Sequence, residues 1–223
     1  MIEGSLDMYI KIKNYTKLIE HKQILHDINL SLESGHIYGL KGKNGSGKTM
    51  LMRAICGLIL PTSGEINING DILGTQISFP KSIGALIESP GFIDAYSGFK
   101  NLKLLAEIKN IISAQDIADT MLSLRLDPYD KKKFKKYSLG MKQKLGIAAA
   151  IMEKPDIIIL DEPINALDEE SVQIVKELLI SLKNDGKLIL ISCHDKDELE
   201  FLSDQIYEIE SGEIKNFYKV DAI

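Results

Sequence analysis

Residues 36–49 read His36-Ile-Tyr-Gly-Leu-Lys-Gly42-Lys-Asn-Gly45-Ser-Gly47-Lys48-Thr49, a short apolar run that passes straight into a glycine-rich loop. The last eight residues satisfy the pattern G-x-x-x-x-G-K-[ST] in full. Glycines at 42, 45 and 47 let the main chain turn tightly and approach a bound group, so that several N–H groups can point inward at dense negative charge. The spacing over 49–58 predicts a helix after the loop, and its N-terminal end adds positive potential. Lys48 is then placed to reach the β- and γ-phosphates, and the Thr49 hydroxyl to take a magnesium ion. The chemistry these residues call for is the binding of a nucleoside triphosphate.

Working outward from the loop gives the fold. A phosphate loop of this kind needs an acidic group at the end of a neighbouring buried strand. Ile157-Ile-Ile-Leu160 followed by Asp161-Glu162 supplies one. Four bulky apolar residues in a row predict a strand of a parallel sheet buried on both faces, and ligands bind at the carboxyl ends of such strands. Asp161 is expected to hold Mg²⁺, directly or through water, and Glu162 to orient or deprotonate the attacking water. A second apolar run, 188–191, ends in Ser192-Cys193-His194, where His194 can hydrogen-bond the γ-phosphate. Before the loop, Met8, Ile10 and Ile12 alternate with Tyr9, Lys11 and Lys13, and Ile28, Leu30 and Leu32 with Asn29 and Ser31, which predicts strands. Further strands are expected at 64–70, 83–87 and 206–209. Helical spacing dominates 101–152 and returns at 169–183 and around 195–203. The chain thus reads as one domain, with an α/β core of about 1–88 and 153–223 interrupted by a helical subdomain of about 89–152.

The 223 residues are 44% hydrophobic and 26% charged, with 27 Lys and Arg against 32 Asp and Glu and a net charge of −5. The acidic balance argues against a dedicated nucleic-acid binder, which would carry a basic face. Cys56 and Cys193 have no metal-ligand spacing and, with no leader-like N-terminus, are expected as free thiols. The longest apolar runs, 54–60 and 157–160, fall far short of the roughly 20 residues that a membrane-spanning helix needs. Work at a membrane would require another chain. The basic run Lys131-Lys-Lys-Phe-Lys-Lys136 reads either as a solvated loop or as a contact for anionic lipid or an acidic partner.

Taken together, these segments resemble an ABC-family ATPase over essentially the whole chain. Residues 42–49 are similar to Walker A and 157–162 to Walker B. Ser138-Leu-Gly140-Met-Lys-Gln143, just before that strand, resembles the family signature, Asn165-Ala-Leu-Asp168 the D-loop, and His194 the switch histidine. The resemblance implies an α/β P-loop NTPase of ABC type, with a mixed, largely parallel sheet core, an N-terminal antiparallel β-subdomain and an inserted helical subdomain. It implies ATP and Mg²⁺ as cofactors, with Gly42, Asn44, Gly45, Ser46, Gly47, Lys48, Thr49 and Met50 around the nucleotide. Lys48, Glu88, Glu162 and His194 would be catalytic, and Thr49, Glu88 and Asp161 would face the metal. Ser138 and Gly140 would bind the γ-phosphate of ATP held on a second subunit, making a two-fold pair, a homodimer or a pairing with another ATPase subunit. Asp168 would couple one site to the other. The implied partner is a transmembrane subunit, with no nucleic acid, and the implied location is cytoplasmic, on the inner face of the cell membrane, reached only through that partner.

Two departures from the family pattern carry information. Glu88 stands where the family's glutamine loop carries Gln. Together with the Ser-Leu-Gly-Met-Lys-Gln signature, this is similar to the bacitracin- and lantibiotic-resistance branch. A carboxylate there, which only accepts hydrogen bonds, is expected to alter metal or water coordination; the alternative is that Glu88 faces solvent. Ile19 occupies the place of the aromatic that stacks on adenine. Tyr15 is either a substitute or a strand-edge residue, so modest discrimination between ATP and GTP is expected. The apolar stretch 90–99, with Phe92, Ile93, Tyr96 and Phe99, reads as the surface for the membrane subunit or as core beneath the helical insert. The function expected on these grounds is that of the ATPase of a bacterial transporter, exporting a peptide antibiotic of bacitracin or lantibiotic type. A general exporter with other cargo is the alternative. A soluble ABC protein that does not transport fits less well, because no long coiled coil or second core is read in the chain.

Overall fold

The computed structural model of the protein describes residues 8–193 and 195–220. The chain opens with β1 (Tyr9–Ile19), β2 (Lys22–Glu33) and β3 (His36–Lys41), followed by α1 (Lys48–Ile55), β4 (Ser63–Ile68), β5 (Asp71–Ile72) and β6 (Ile83–Leu86). Helices α2 (Gly98–Lys109), α3 (Ala114–Ser123) and α4 (Leu139–Ile151) come next, with a 3₁₀ turn at Phe134–Lys136. The remainder alternates: β7 (Ile157–Asp161), α5 (Glu169–Asn184), β8 (Leu188–Ser192), α6 (Lys196–Leu202), β9 (Gln205–Glu210) and β10 (Glu213–Lys219).

The strands form two sheets among the described residues. One is antiparallel in the order β2-β1-β4-β5, and the other runs β10-β9-β3-β8-β7-β6, parallel from β9 to β6 with β10 antiparallel at its edge. This is the predicted fold class, a mixed sheet with an antiparallel subdomain and a helical insert. The continuous apolar runs explain the parallel part. On β7, Ile157 and Ile159 face the core shared with the antiparallel sheet and α1, while Ile158 and Leu160 face the core built with the helical insert. Leu188 and Leu190 on β8 likewise face one way, and Ile189 and Ile191 the other. Each such side chain, fully removed from water, contributes roughly 1.5–3 kcal/mol.

Three local details depart from the sequence reading. Helix α1 ends at Ile55 rather than 58, because Gly57 takes a φ of +77° and its N–H turns back to the Ala54 carbonyl. Strand β10 was not anticipated; most of its side chains are exposed or half-exposed, as suits an edge strand. Finally, Tyr15 is neither a strand-edge residue nor a stacking platform. Asn14 has a φ of +49° and the β1–β2 register shifts on both sides of Tyr15. This bulge reverses the alternation, and the ring is fully buried with its hydroxyl 3.2 Å from the Ile59 carbonyl.

Candidate functional site

Strand β3 delivers the chain into the loop at 42–47. A side chain at Gly42 would lie 2.2 Å from the Ile209 carbonyl and 2.6 Å from Ser46 Oγ, so only glycine fits there. Gly47, with a φ of +113°, turns the chain into α1. The buried Lys48, 6% exposed, folds back over the loop and donates to the carbonyls of Gly42 (2.6 Å) and Lys43 (3.3 Å). Ser46 Oγ is buried with no hydrogen-bond partner among the described residues. An orphaned hydroxyl and an ammonium resting on its own loop are what a cradle for phosphate oxygens would present. Asn44, Gly45 and Met50 line the adjoining hollow of about 520 Å³, together with Ile19 and Ile24.

The acidic pair closes the other side. Asp161, 8% exposed, accepts from the Thr49 hydroxyl at 2.7 Å through one oxygen and from the Ser192 hydroxyl at 2.5 Å through the other. Thr49 Oγ1 and Asp161 are hard oxygen donors of the kind Mg²⁺ takes. Among the described residues no cluster of three His, Cys, Asp or Glu side chains could cage a metal by itself. The ion would need phosphate oxygens as well, which is how Mg²⁺ is ordinarily bound beside one or two protein ligands. The residues therefore fit the metal, provided the nucleotide comes with it.

Glu162 sits at the edge of a hollow of about 360 Å³ that also takes in Thr49, Glu88, Gln143, Asp161 and Asn165. Its φ is +53°, uncommon for a residue with a side chain. Its N–H donates to both the carbonyl (3.2 Å) and the hydroxyl (3.1 Å) of Ser192, and its carbonyl accepts from Gln143 Nε2 at 2.9 Å. Asn165 Nδ2 donates to its carboxylate at 3.2 Å. Glu88, also at positive φ, lies on the rim with its carboxylate on Arg53 at 2.7 Å. His194 lies outside the described residues.

The segment resembling the signature opens onto a different hollow, of about 380 Å³, shared with the D-loop residues Ala166 and Asp168. Ser138 caps α4, accepting from Met141 N at 3.2 Å, and Gly140 approaches the Ala166 carbonyl so closely that a side chain would crowd it at 3.2 Å. Asp168 caps α5 by accepting from Ser171 N at 2.8 Å; the Ser171 hydroxyl and N–H hold its carboxyl below the usual carboxylate range. Within 90–99, Phe92 packs edge-on against Phe134 and Lys100 lies over the Tyr96 ring, while Ile93 is half-exposed. Phe134 N–H donates to the Tyr96 carbonyl, which fixes the basic run 131–136 beside this segment with its lysines exposed.

The sequence alone puts the glycine loop after β3 and the Asp161-Glu162 pair at the end of β7, where the structure has them. Sequence reasoning missed Ser192, Gln143 as a contact of Glu162, and Arg53 as the partner of Glu88. Each of these depends on strand register or helix placement, which the sequence does not display.

Comparison with known proteins bears directly on this geometry. The family model described as ABC transporter matches residues 25–165. The uncharacterized ABC transporter ATP-binding protein YybJ of Bacillus subtilis (strain 168) is 46% identical over 211 residues, 95% of this chain and 97% of that protein. The bacitracin transport ATP-binding protein BcrA of Enterococcus faecalis is 36% identical over 211 residues, covering 94% of this chain and 68% of BcrA. A solved structure described as the ATP-binding subunit of an ABC transporter superposes with a TM-score of 0.86 at 25% identity, over 95% of this chain and 90% of that one. No helix among the described residues is long and apolar enough to cross a membrane. A phosphate loop, an acidic pair and a signature helix held in one chain, together with these likenesses, show that the protein belongs to the ABC transporter family as one of its ATP-binding, ATP-hydrolysing cassettes.

Proposed function

We propose that this cassette drives export of a peptide antibiotic of bacitracin or lantibiotic type through a separate membrane subunit. It would act on the inner face of the cell membrane as a pair of chains with two shared ATP sites. The observation that carries the reading is the convergence of Thr49, Asp161 and Glu162 on one hollow beside the glycine loop. The likeness to a bacitracin transport protein and the glutamate at position 88 support the choice of cargo.

The residues divide the labour as follows. Gly42, Asn44, Gly45, Ser46, Gly47, Lys48 and Met50 surround the triphosphate, with Lys48 released from its own loop carbonyls to the β- and γ-phosphates. Thr49 and Asp161 would hold a magnesium ion, which would offset charge on those phosphates. Glu162 orients the attacking water and takes its proton. Glu88, on the same hollow and paired with Arg53, would add an acceptor-only carboxylate near the metal. His194 reads the γ-phosphate. Ser138 and Gly140 at the N-terminus of α4 contact the γ-phosphate on the partner chain, where the helix end favours negative charge, and Asp168 links the two sites. Residues 89–152 form the helical subdomain, and the half-exposed Ile93 marks the face offered to the membrane subunit.

Glu162→Gln tests the mechanism. It should keep ATP affinity within about twofold, reduce turnover about a thousandfold, and trap a dimer on size-exclusion chromatography only when ATP is present. Loss of ATP binding, or a dimer indifferent to nucleotide, would overturn the reading. For the cargo, co-expression with the transporter's membrane subunit should raise bacitracin or lantibiotic tolerance of a sensitive bacterium, and Glu162→Gln should abolish that gain.

A further inference from the structure

We infer that Ser192 is the positioning residue of the hydrolytic site, a single hydroxyl that orients the metal-side carboxylate and fixes the main chain of the water-activating glutamate. This rests on the roles given above to Asp161 and Glu162.

The sheet puts Ser192 where it can act on both. Strand β8 lies between β3, which leads into the phosphate loop, and β7, which ends in the acidic pair. In register, Ser192 pairs with Leu40 on one side and with Asp161 on the other. The four residues before it on β8 are apolar and fully buried, so packing alone would be served by another aliphatic side chain. Instead the strand ends in a hydroxyl with 0% exposure. A buried hydroxyl needs partners, and both of its partners belong to the acidic pair.

Its two bonds do different things. The hydroxyl donates to one oxygen of Asp161 at 2.5 Å while Thr49 donates to the other at 2.7 Å. The outer torsion of an aspartate is soft, so without Ser192 the carboxylate could turn away from the metal side. The Ser192 hydroxyl oxygen also accepts from Glu162 N–H at 3.1 Å, and the Ser192 carbonyl accepts from that N–H at 3.2 Å. Glu162 holds a left-handed φ of +53°, and such a conformation persists only where its surroundings fix it. Ser192 contributes two of those restraints through one N–H.

The test compares wild type with Ser192→Ala, Ser192→Cys and Ser192→Thr in the full chain. Cysteine matches serine in shape but is a weak donor, and threonine keeps the hydroxyl. Three quantities are read: binding of a fluorescent ATP analogue in EDTA, Mn²⁺ affinity by electron paramagnetic resonance with a non-hydrolysable ATP analogue present, and steady-state turnover. Ala and Cys should leave metal-free nucleotide binding within about twofold, weaken Mn²⁺ about tenfold and lower kcat about tenfold with KM little changed. Groups that orient metal ligands are typically worth ten- to a hundredfold. Thr should return both properties to within about threefold of wild type. Wild-type Mn²⁺ affinity and kcat in Ala and Cys would overturn the assignment. So would a parallel collapse of metal-free binding in all three variants, which would make Ser192 a packing residue. A wild-type protein that neither binds Mn²⁺ with nucleotide nor hydrolyses ATP would sink the underlying site assignment instead, before any variant is compared.

Discussion

The two ends of the site are built differently. At the glycine loop and β7, Lys48 and Asp161 are almost wholly buried and bonded to groups of their own chain. At the start of α4, Ser138 and Leu139 are exposed, Leu139 by 68%, and the Ser138 side chain caps its own helix. Each end contains hydrogen-bond donors suited to phosphate, yet Lys48 and Asp161 at the one are buried while Ser138 at the other is exposed. On the proposed function, the loop end is expected to bind nucleotide alone and the α4 end to act when another chain brings nucleotide to it.

Removing either end should expose that division. Lys48→Ala should weaken ATP binding to the isolated chain at least a hundredfold and abolish turnover. Ser138→Arg should leave ATP affinity within about twofold, yet cut turnover 10²–10³-fold, the scale expected when a group contacting developing charge is lost. Placed on the Glu162→Gln background, it should also prevent the ATP-dependent dimer. Equal loss of ATP affinity in both variants, measured by equilibrium titration of the monomer, would show that the ends are not divided in this way.

A smaller effect is expected where the ends meet. Gln143 stands on α4, yet its amide donates to the Glu162 carbonyl, so the helix proposed to touch the partner's nucleotide is tied to the residue proposed to activate water. Gln143→Leu keeps the shape and removes the bond. One such hydrogen bond is worth about 0.5–1.5 kcal/mol, which sets the expected fall in turnover at about two- to tenfold, with ATP affinity unchanged. The Hill coefficient for ATP should fall towards one. An unchanged Hill coefficient would sever α4 from Glu162 as a route between sites.

The loop end was the more legible in sequence, and the reason is physical. A phosphate loop imposes residue types at fixed spacing because backbone N–H groups, a lysine and a hydroxyl must all meet one triphosphate, so 42–49 and the run into Asp161 could be read without knowing the fold. The buried strands β7 and β8 were legible because a strand covered on both faces has no polar alternation. Contacts that depend on strand order were not legible. Ser192 meets Asp161 only because β8 pairs with β7, and Arg53 meets Glu88 only because the fold brings α1 to the segment that follows β6. Strand β10 escaped notice because Glu213-Ile-Lys-Asn-Phe-Tyr-Lys219 is largely exposed, and Tyr15 was misjudged because a bulge at Asn14 reverses the facing of β1.

That bulge leads to the smallest of the expected effects. With Tyr15 committed to the core, the hollow beside the loop offers Ile19 and Ile24 where a base would lie, and Ile19 is exposed there. An aliphatic surface makes dispersion contact with any purine but does not stack, and it has no polar group to tell an amino group from a carbonyl. GTP should therefore be hydrolysed with a kcat/KM within about threefold of that for ATP. Ile19→Tyr should tighten both nucleotides about two- to tenfold, because an aromatic pair adds roughly 0.5–1.5 kcal/mol beyond its buried area. It should leave the ratio between them almost unchanged, since both purines present the same kind of face to the ring. A strong preference of the wild-type protein for ATP over GTP in parallel steady-state assays would mean that the base is read by a group outside this hollow. In that case the loop end would not bind nucleotide by its own residues alone, and the contrast with the start of α4 would weaken.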